Sequence, residues 1–370
     1  MRRNVKTAPM KFLSVSAPGR ICLFGEHSDY MKLPVIASAI NLRIRISGTP
    51  RNDKRFNINL PDINDYEVFE VEGKVPYQKE RDYWRSVVNV LQNKAIKITH
   101  GFDCEVHSEI PMRGGCSSSS ALVVAWTKFL LTAFNDPRFN DLEQIALFSY
   151  EAEVLEFGEP GGWMDHFAIA LGGVNYIDCG VNPSIIKRLP SRLGKFVIGD
   201  SLQPKDTLTL LKKLRYGRLD VIKKLEPDLN LEKLRFFKEQ DVKRFSNKLS
   251  PEEGLLLKGT IKNRDYVNEG LKILSKKEVD PKIFGQFLDM QHQLLRDMFK
   301  TSTPVINRML NLAKQKGAHG GKISGSGGGG CMFAYAPESF MDVANIIVSE
   351  GKKAFVVDVA SGVRVDEILL

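Results

Sequence analysis

The sequence is poor in residues that build covalent or metal frameworks. Its 370 residues include five cysteines, Cys22, Cys104, Cys116, Cys179 and Cys331, with no paired spacing. An odd, scattered set excludes a disulfide scaffold and points to reduced thiols and a cytoplasmic setting. The six histidines are equally dispersed, and none forms a metal-ligand pair. Long apolar runs are missing too. The longest, "ALVVAWTKFLLTAF", is interrupted by Lys128, which suits a buried helix and is too short for a membrane span. The basic start "MRRNVKTAPMK" is not followed by an apolar signal core. No fixed-period repeat is visible, which excludes solenoids and propellers. The phosphate-binding pattern GxxxxGK[ST] is absent as well.

Charge is plentiful but local. The net charge is +9, and residues 205–248 hold 13 Lys/Arg against 7 Asp/Glu. Such a stretch reads as a solvated helical face, with attraction of anionic substrates or nucleic acid as the alternative. No zinc finger or aromatic RNA-binding signature accompanies it, so nucleic acid is not an expected partner. Hydrophobic residues at 43% and charged residues at 26% are ordinary for a globular chain, and the length suits two domains.

The chain mixes strand and helix signals without strict alternation, which reads as α+β. "FLSVSAPGRICLFG" (12–25) predicts two short strands broken at Pro18-Gly19, and "GFDCEVHSEI" (101–110) a third. "DLEQIALFSYEAEVLEFG" (141–158) starts on Asp, stops on Gly and predicts one helix. "GGVNYIDC" and "KKAFVVDVA" predict strands. Lys-rich amphipathic helices dominate 203–300. The change of character near residues 180–200 divides the chain into 1–185 and 186–370.

Three segments carry chemistry. "PMRGGCSSSS" (111–120) is a small-residue loop feeding a helix. Its exposed amides and the helix dipole favour an anion, although a Gly/Ser turn is often only a linker. "SGSGGGG" (324–330) has five glycines in seven residues, each costing roughly 1 kcal/mol of ordering against alanine. That cost argues for close backbone approach to a ligand or to the first loop. "RICLFGEHSDY" (20–30) crowds Arg20, Glu26, His27 and Asp29 behind an apolar run, which requires water or a polar ligand. In "EPGGWMDHF", Asp165 alone reads as a helix N-cap, with Glu153 on the preceding helix.

In this order and spacing the segments resemble the three motifs of the GHMP kinases, the family of galactokinase, homoserine kinase, mevalonate kinase and phosphomevalonate kinase. "APGRICLFGEHSDY", "PMRGGCSSSSAL" and "KISGSGGGGCMFA" match motifs 1, 2 and 3. "PGR…GEHSDY" is similar to the galactokinase signature GEHTDY, and "GGWMDH" to its GIMDQ. The resemblance implies an α+β, two-domain fold, with a ribosomal protein S5 domain 2-like first half and a ferredoxin-like second half. It implies an ATP-dependent sugar kinase, with Mg²⁺ accompanying ATP and phosphorylation at the anomeric hydroxyl. Asp165 would be the catalytic base beside Arg20. Glu26, His27 and Asp29 would bind sugar hydroxyls. Gly114, Gly115, Ser117, Ser118 and Ser119 would line the triphosphate, backed by Gly325, Gly327 and Gly328. Ser118 and Glu153 would hold Mg²⁺. A monomer or homodimer is expected, with no membrane partner. "MKLPVIASAINLRI" after motif 1 is closer to mevalonate kinase, Arg113 stands where the family has Gly, and His166 replaces Gln. A mevalonate-type kinase and a catalytically silent sugar sensor are the alternatives.

Overall fold

The computed structural model describes residues 10–112, 114–182, 184–204 and 207–370. Arg113 lies outside them, as do the basic residues 1–9 and residues 205–206 of the basic stretch.

The first layer is an eight-stranded sheet. Its strands are β1 (Phe12–Phe24), β2 (Val35–Pro50), β3 (Arg55–Leu60), β4 (Asp65–Glu70), β5 (Phe102–Ser108), β6 (Val174–Asp178), β7 (Ile185–Leu189) and β12 (Arg364–Leu369). The order is β12-β1-β2-β5-β3-β4, with β6 joining β2 to β7. β1 is one strand, not two. Pro18 pairs Arg43 and Gly19 pairs Ile40, so the ladder shifts register there without ending. The mismatch is taken up on β2, where the Asn41 amide donates to Asp358 O instead.

Helices α1 (Tyr83–Asn93), α2 (Ser118–Ala133), α3 (Leu142–Tyr150) and α4 (Met164–Leu171) belong to this half, and α2 and α4 pack on β1 and β2. The apolar run of α2 is buried almost all round, and Lys128 is held by donating to the Phe139 carbonyl. The helix expected over 141–158 is α-helical only to Tyr150. A single π turn, Glu151–Leu155, follows.

The second layer holds β8 (Phe196–Asp200), β9 (Gly320–Ile323), β10 (Cys331–Tyr335) and β11 (Lys353–Val357) in the order β11-β8-β10-β9, all antiparallel. Between β8 and β9 lie α5 (Thr207–Lys224), α6 (Pro251–Leu274), α7 (Pro281–Asp297) and α8 (Pro304–Gln315), and α9 (Phe340–Ser349) joins β10 to β11. The strand order, with helices before β9 and after β10, is ferredoxin-like, as expected. Three helices start at Ser-Pro, Asp-Pro and Thr-Pro. Ser250, Asp280 and Thr303 each accept backbone amides while Pro occupies the first turn.

The expected division after residue 185 falls inside the larger sheet. β7 begins at Ile185 and pairs β6, and β12 returns from the far end of the chain to pair β1. Strand pairing is non-local, so a shift in composition does not locate it.

Candidate active site

The site forms where β1, the α2 loop and the glycine-rich turn after β9 meet. Arg20 is buried on β1. Its Nε and Nη2 donate to Asp165 Oδ1 and Oδ2 at 2.6 and 2.8 Å, and its Nη1 donates to Gly115 O at 2.6 Å. This is a bidentate guanidinium–carboxylate fork. Asp165 is the second residue of α4, and a quarter of its side-chain surface stays open to the cavity. The Ser117 hydroxyl also donates to it. Burial acts to raise the Asp165 carboxyl, but Arg20, Ser117 and His166 outweigh it and hold the group below its ordinary range.

Ser117 precedes α2 with φ +58° and makes no side-chain cap. Its hydroxyl is committed to Asp165, so the first amides of α2 keep no side-chain cap, the arrangement that attracts phosphate at a helix start. Ser118, Ser119 and Ser120 line the same cavity. The turn after β9 closes on this loop from the other half of the molecule. Cys331 N donates to Gly114 O at 2.7 Å and Ser324 Oγ to Gly115 O at 3.0 Å. At Gly325, where φ is +70°, a Cβ would come within 2.9 Å of Gly115 O, so only glycine fits.

The motif 1 side chains reach the cavity wall by different routes. Asp29 Oδ2 accepts from Met164 N at 3.2 Å, and a Cβ on Gly162 would lie 2.0 Å from that oxygen. Burial, then the neighbouring Asp165, raises the Asp29 carboxyl. His27 shares a 3.0 Å hydrogen bond between Nδ1 and the Tyr30 hydroxyl. Glu26 is 1% exposed and engaged by the protein itself. Its Oε1 accepts from Gly325 N at 2.5 Å and its Oε2 pairs with the buried Lys322, which also donates to Cys22 O at 2.9 Å. Glu153, on the π turn, accepts from His166 Nε2 at 2.8 Å.

The cavity thus gathers Arg20, Glu26, His27, Asp29, Gly115, Ser117, Ser118, Ser119, Glu153, Asp165 and Gly325. Gly114, Gly327 and Gly328 are not on its wall. Gly114 is bonded to β10, and Gly327 and Gly328 pack on Thr301, whose carbonyl accepts from Gly328 N at 2.7 Å. Among the described residues no group of three or more His, Cys, Asp or Glu forms a metal cluster, and no helix is long and apolar enough to cross a membrane.

Models of the GHMP kinase N-terminal and C-terminal domains match residues 82–173 and 276–348. The chain belongs to the GHMP kinases. Within them, a galactokinase galactose-binding signature matches residues 5–50. The chain is similar to a galactokinase of Actinobacillus succinogenes, 28% identical over 91% of this chain and 89% of that protein. It is also 28% identical to a mevalonate kinase of Thermococcus sibiricus, over 96% of this chain and 98% of that one. In structure, Lactococcus lactis galactokinase complexed with galactose aligns with TM-score 0.84 over 95% of both chains. At 20% identity that likeness speaks for the fold alone.

For a GHMP kinase, several wall residues were not singled out from sequence. Ser326, Gly162 and the pair Arg81–Glu159 line the cavity. Lys322, the first residue of motif 3 in "GGKISGSG", reaches Glu26 from behind. A lysine between glycines and an apolar strand residue was the available signal.

Proposed function

We propose that this GHMP kinase is an ATP-dependent, galactokinase-like sugar kinase, transferring the γ-phosphoryl of ATP to an anomeric hydroxyl. The observation that carries the reading is the Arg20–Asp165 fork, open to a cavity that has phosphate-type loops on one side and the motif 1 carboxylate Asp29 on the other. Asp165 accepts the proton of the sugar hydroxyl. The sugar oxygen forms its bond to the γ-phosphorus as the bond to the bridging oxygen breaks, and ADP leaves. Phosphoryl transfer asks mainly for positioning and charge neutralisation. Arg20 fixes both carboxylate oxygens and keeps the base ionised. That makes it a weak base, which suffices because an anomeric hydroxyl is more acidic than an ordinary alcohol.

The α2 amides and the Gly325 turn hold phosphate oxygens, and Asp29 and His27 meet sugar hydroxyls. Glu153 and the Ser118 hydroxyl are the residues that would hold Mg²⁺. Of the two carboxylate oxygens of Glu153, only Oε2 has a hydrogen-bond partner among the described residues. Its second oxygen and the serine hydroxyl are hard donors, and two protein ligands beside substrate phosphates suit this cation. When bound, Mg²⁺ neutralises phosphate charge.

The test is ADP release over a panel of sugars and mevalonate, with Asp165→Asn alongside. The variant should lose about 10²–10⁴ in turnover while still binding the sugar by calorimetry. Turnover of mevalonate alone, or an Asp165→Asn enzyme of full activity, would overturn this reading. The Thermococcus likeness is what keeps mevalonate in the panel.

A further inference from the structure

Glu153 is held in place by one neighbour. It sits on the π turn Glu151–Leu155, where the helical ladder takes in an extra residue. Among the described residues, its only hydrogen bond is to His166, whose Nε2 lies 2.8 Å from Glu153 Oε2. A carboxylate can only accept, so Nε2 is the donor. The other ring nitrogen, Nδ1, is sealed from solvent and has no partner among the described residues. His166 is 2% exposed. Its ring meets that of Tyr150 edge-on at 5.6 Å between centroids, and Tyr150 packs on Trp163 at 4.9 Å. Packing fixes the imidazole, and its one polar engagement is Glu153.

The stretch from Gly161 to His166 touches each part of the site in turn. A Cβ on Gly161 would lie 3.3 Å from Val154 Cγ2 on the π turn. Gly162 leaves room for the Asp29 carboxylate, and Met164 N donates to it. Asp165 holds Arg20, and His166 holds Glu153. The start of α4 therefore sets the base directly and Glu153 through His166.

We propose that His166 is a positioning residue for Mg²⁺. By holding Oε2 it stops Glu153 from turning about its own side-chain bonds and leaves Oε1 as the oxygen that meets the cation. Outer partners that orient a metal ligand are worth about 10–100-fold in metal affinity. Glutamine, which stands here in the galactokinase motif GIMDQ, also offers an N–H donor, whereas phenylalanine keeps a ring and offers none. This rests on the sugar-kinase reading above and deepens its metal site.

Calorimetric titration of the enzyme with the non-hydrolysable ATP analogue AMP-PNP, once in EDTA and once in saturating Mg²⁺, tests it. The ratio of the two Kd values measures what the cation adds. In His166→Phe that ratio should shrink by about tenfold or more, with the EDTA value unchanged, and in His166→Gln most of it should return. Glu153→Gln should shrink it at least as far as His166→Phe. A full ratio in His166→Phe beside a reduced one in Glu153→Gln would overturn the inference and leave Glu153 as the metal ligand. A full ratio in both would overturn the inference together with the metal site it rests on. A His166→Gln enzyme as impaired as His166→Phe would overturn the role of the hydrogen bond. The unsubstituted enzyme supplies a further readout. Its ¹⁵N spectrum should show the His166 ring protonated on Nε2, and a ring protonated on Nδ1 alone would overturn the inference whether or not His166→Phe folds.

Discussion

Replacing Lys322 by methionine keeps the length of the side chain and removes its charge. Lys322 is fully buried, Glu26 is 1% exposed, and the pair joins the two halves of the molecule. Without the ammonium, Glu26 keeps the Gly325 amide, and Cys22 O loses a donor. Breaking a buried pair by removing one partner costs about 3–5 kcal/mol. With an unfolding entropy of roughly 2.1 cal/mol/K per residue, 370 residues give roughly 0.8 kcal/mol/K. The melting temperature should therefore fall by roughly 4–6 °C on the same scale, measured calorimetrically without ligand. Glu26→Gln should cost a similar amount. The double variant should cost much less than the sum, because neither charge is then stranded. The KM for ATP should also rise in Lys322→Met, since Gly325 is held through Glu26. A variant as stable as the parent, or single costs that simply add, would refute this role of the Lys322–Glu26 pair.

Two further outcomes follow from the geometry. Ser118→Ala and Glu153→Gln should each raise the Mg²⁺ concentration needed for half-maximal ADP release, and an unchanged metal response in both would mean that other groups hold the ion. Asp29 is raised and Asp165 lowered from the ordinary carboxylate value, so acid should act in two stages. The KM for sugar should rise first, as Asp29 takes a proton above the usual carboxylate range. Turnover should persist until Asp165 titrates below that range. A pH profile in which kcat falls before KM rises would reverse these roles.

The motifs were legible because each is a local property. A glycine run, a serine-rich helix start and a carboxylate cluster are written in contiguous residues, and most of them meet at the cavity. What was not legible is pairing across the chain. The partner of Glu26 is 296 positions away, and nothing about either residue alone announces the other. Pro18-Gly19 read as a strand break because proline cannot donate to a ladder, yet β1 continues past it once β2 absorbs the shift. Glu153 was placed on the right segment, but the π turn that aims it depends on packing rather than propensity. Glycine content likewise could not say which glycines face ligand. Gly325 lines the cavity, whereas Gly327 and Gly328 pack against Thr301.

The return of β12 to β1 bears on the order in which the molecule can be made. β1 spans Phe12–Phe24 and its neighbour β12 spans Arg364–Leu369. Until the ribosome has delivered that last strand, β1 is an edge, with unpaired amides and carbonyls facing outward along an apolar sequence. Such edges invite pairing with other chains. The sheet that carries Arg20 is therefore closed only after the second sheet has been synthesised, so the two halves come to maturity together and not one after the other.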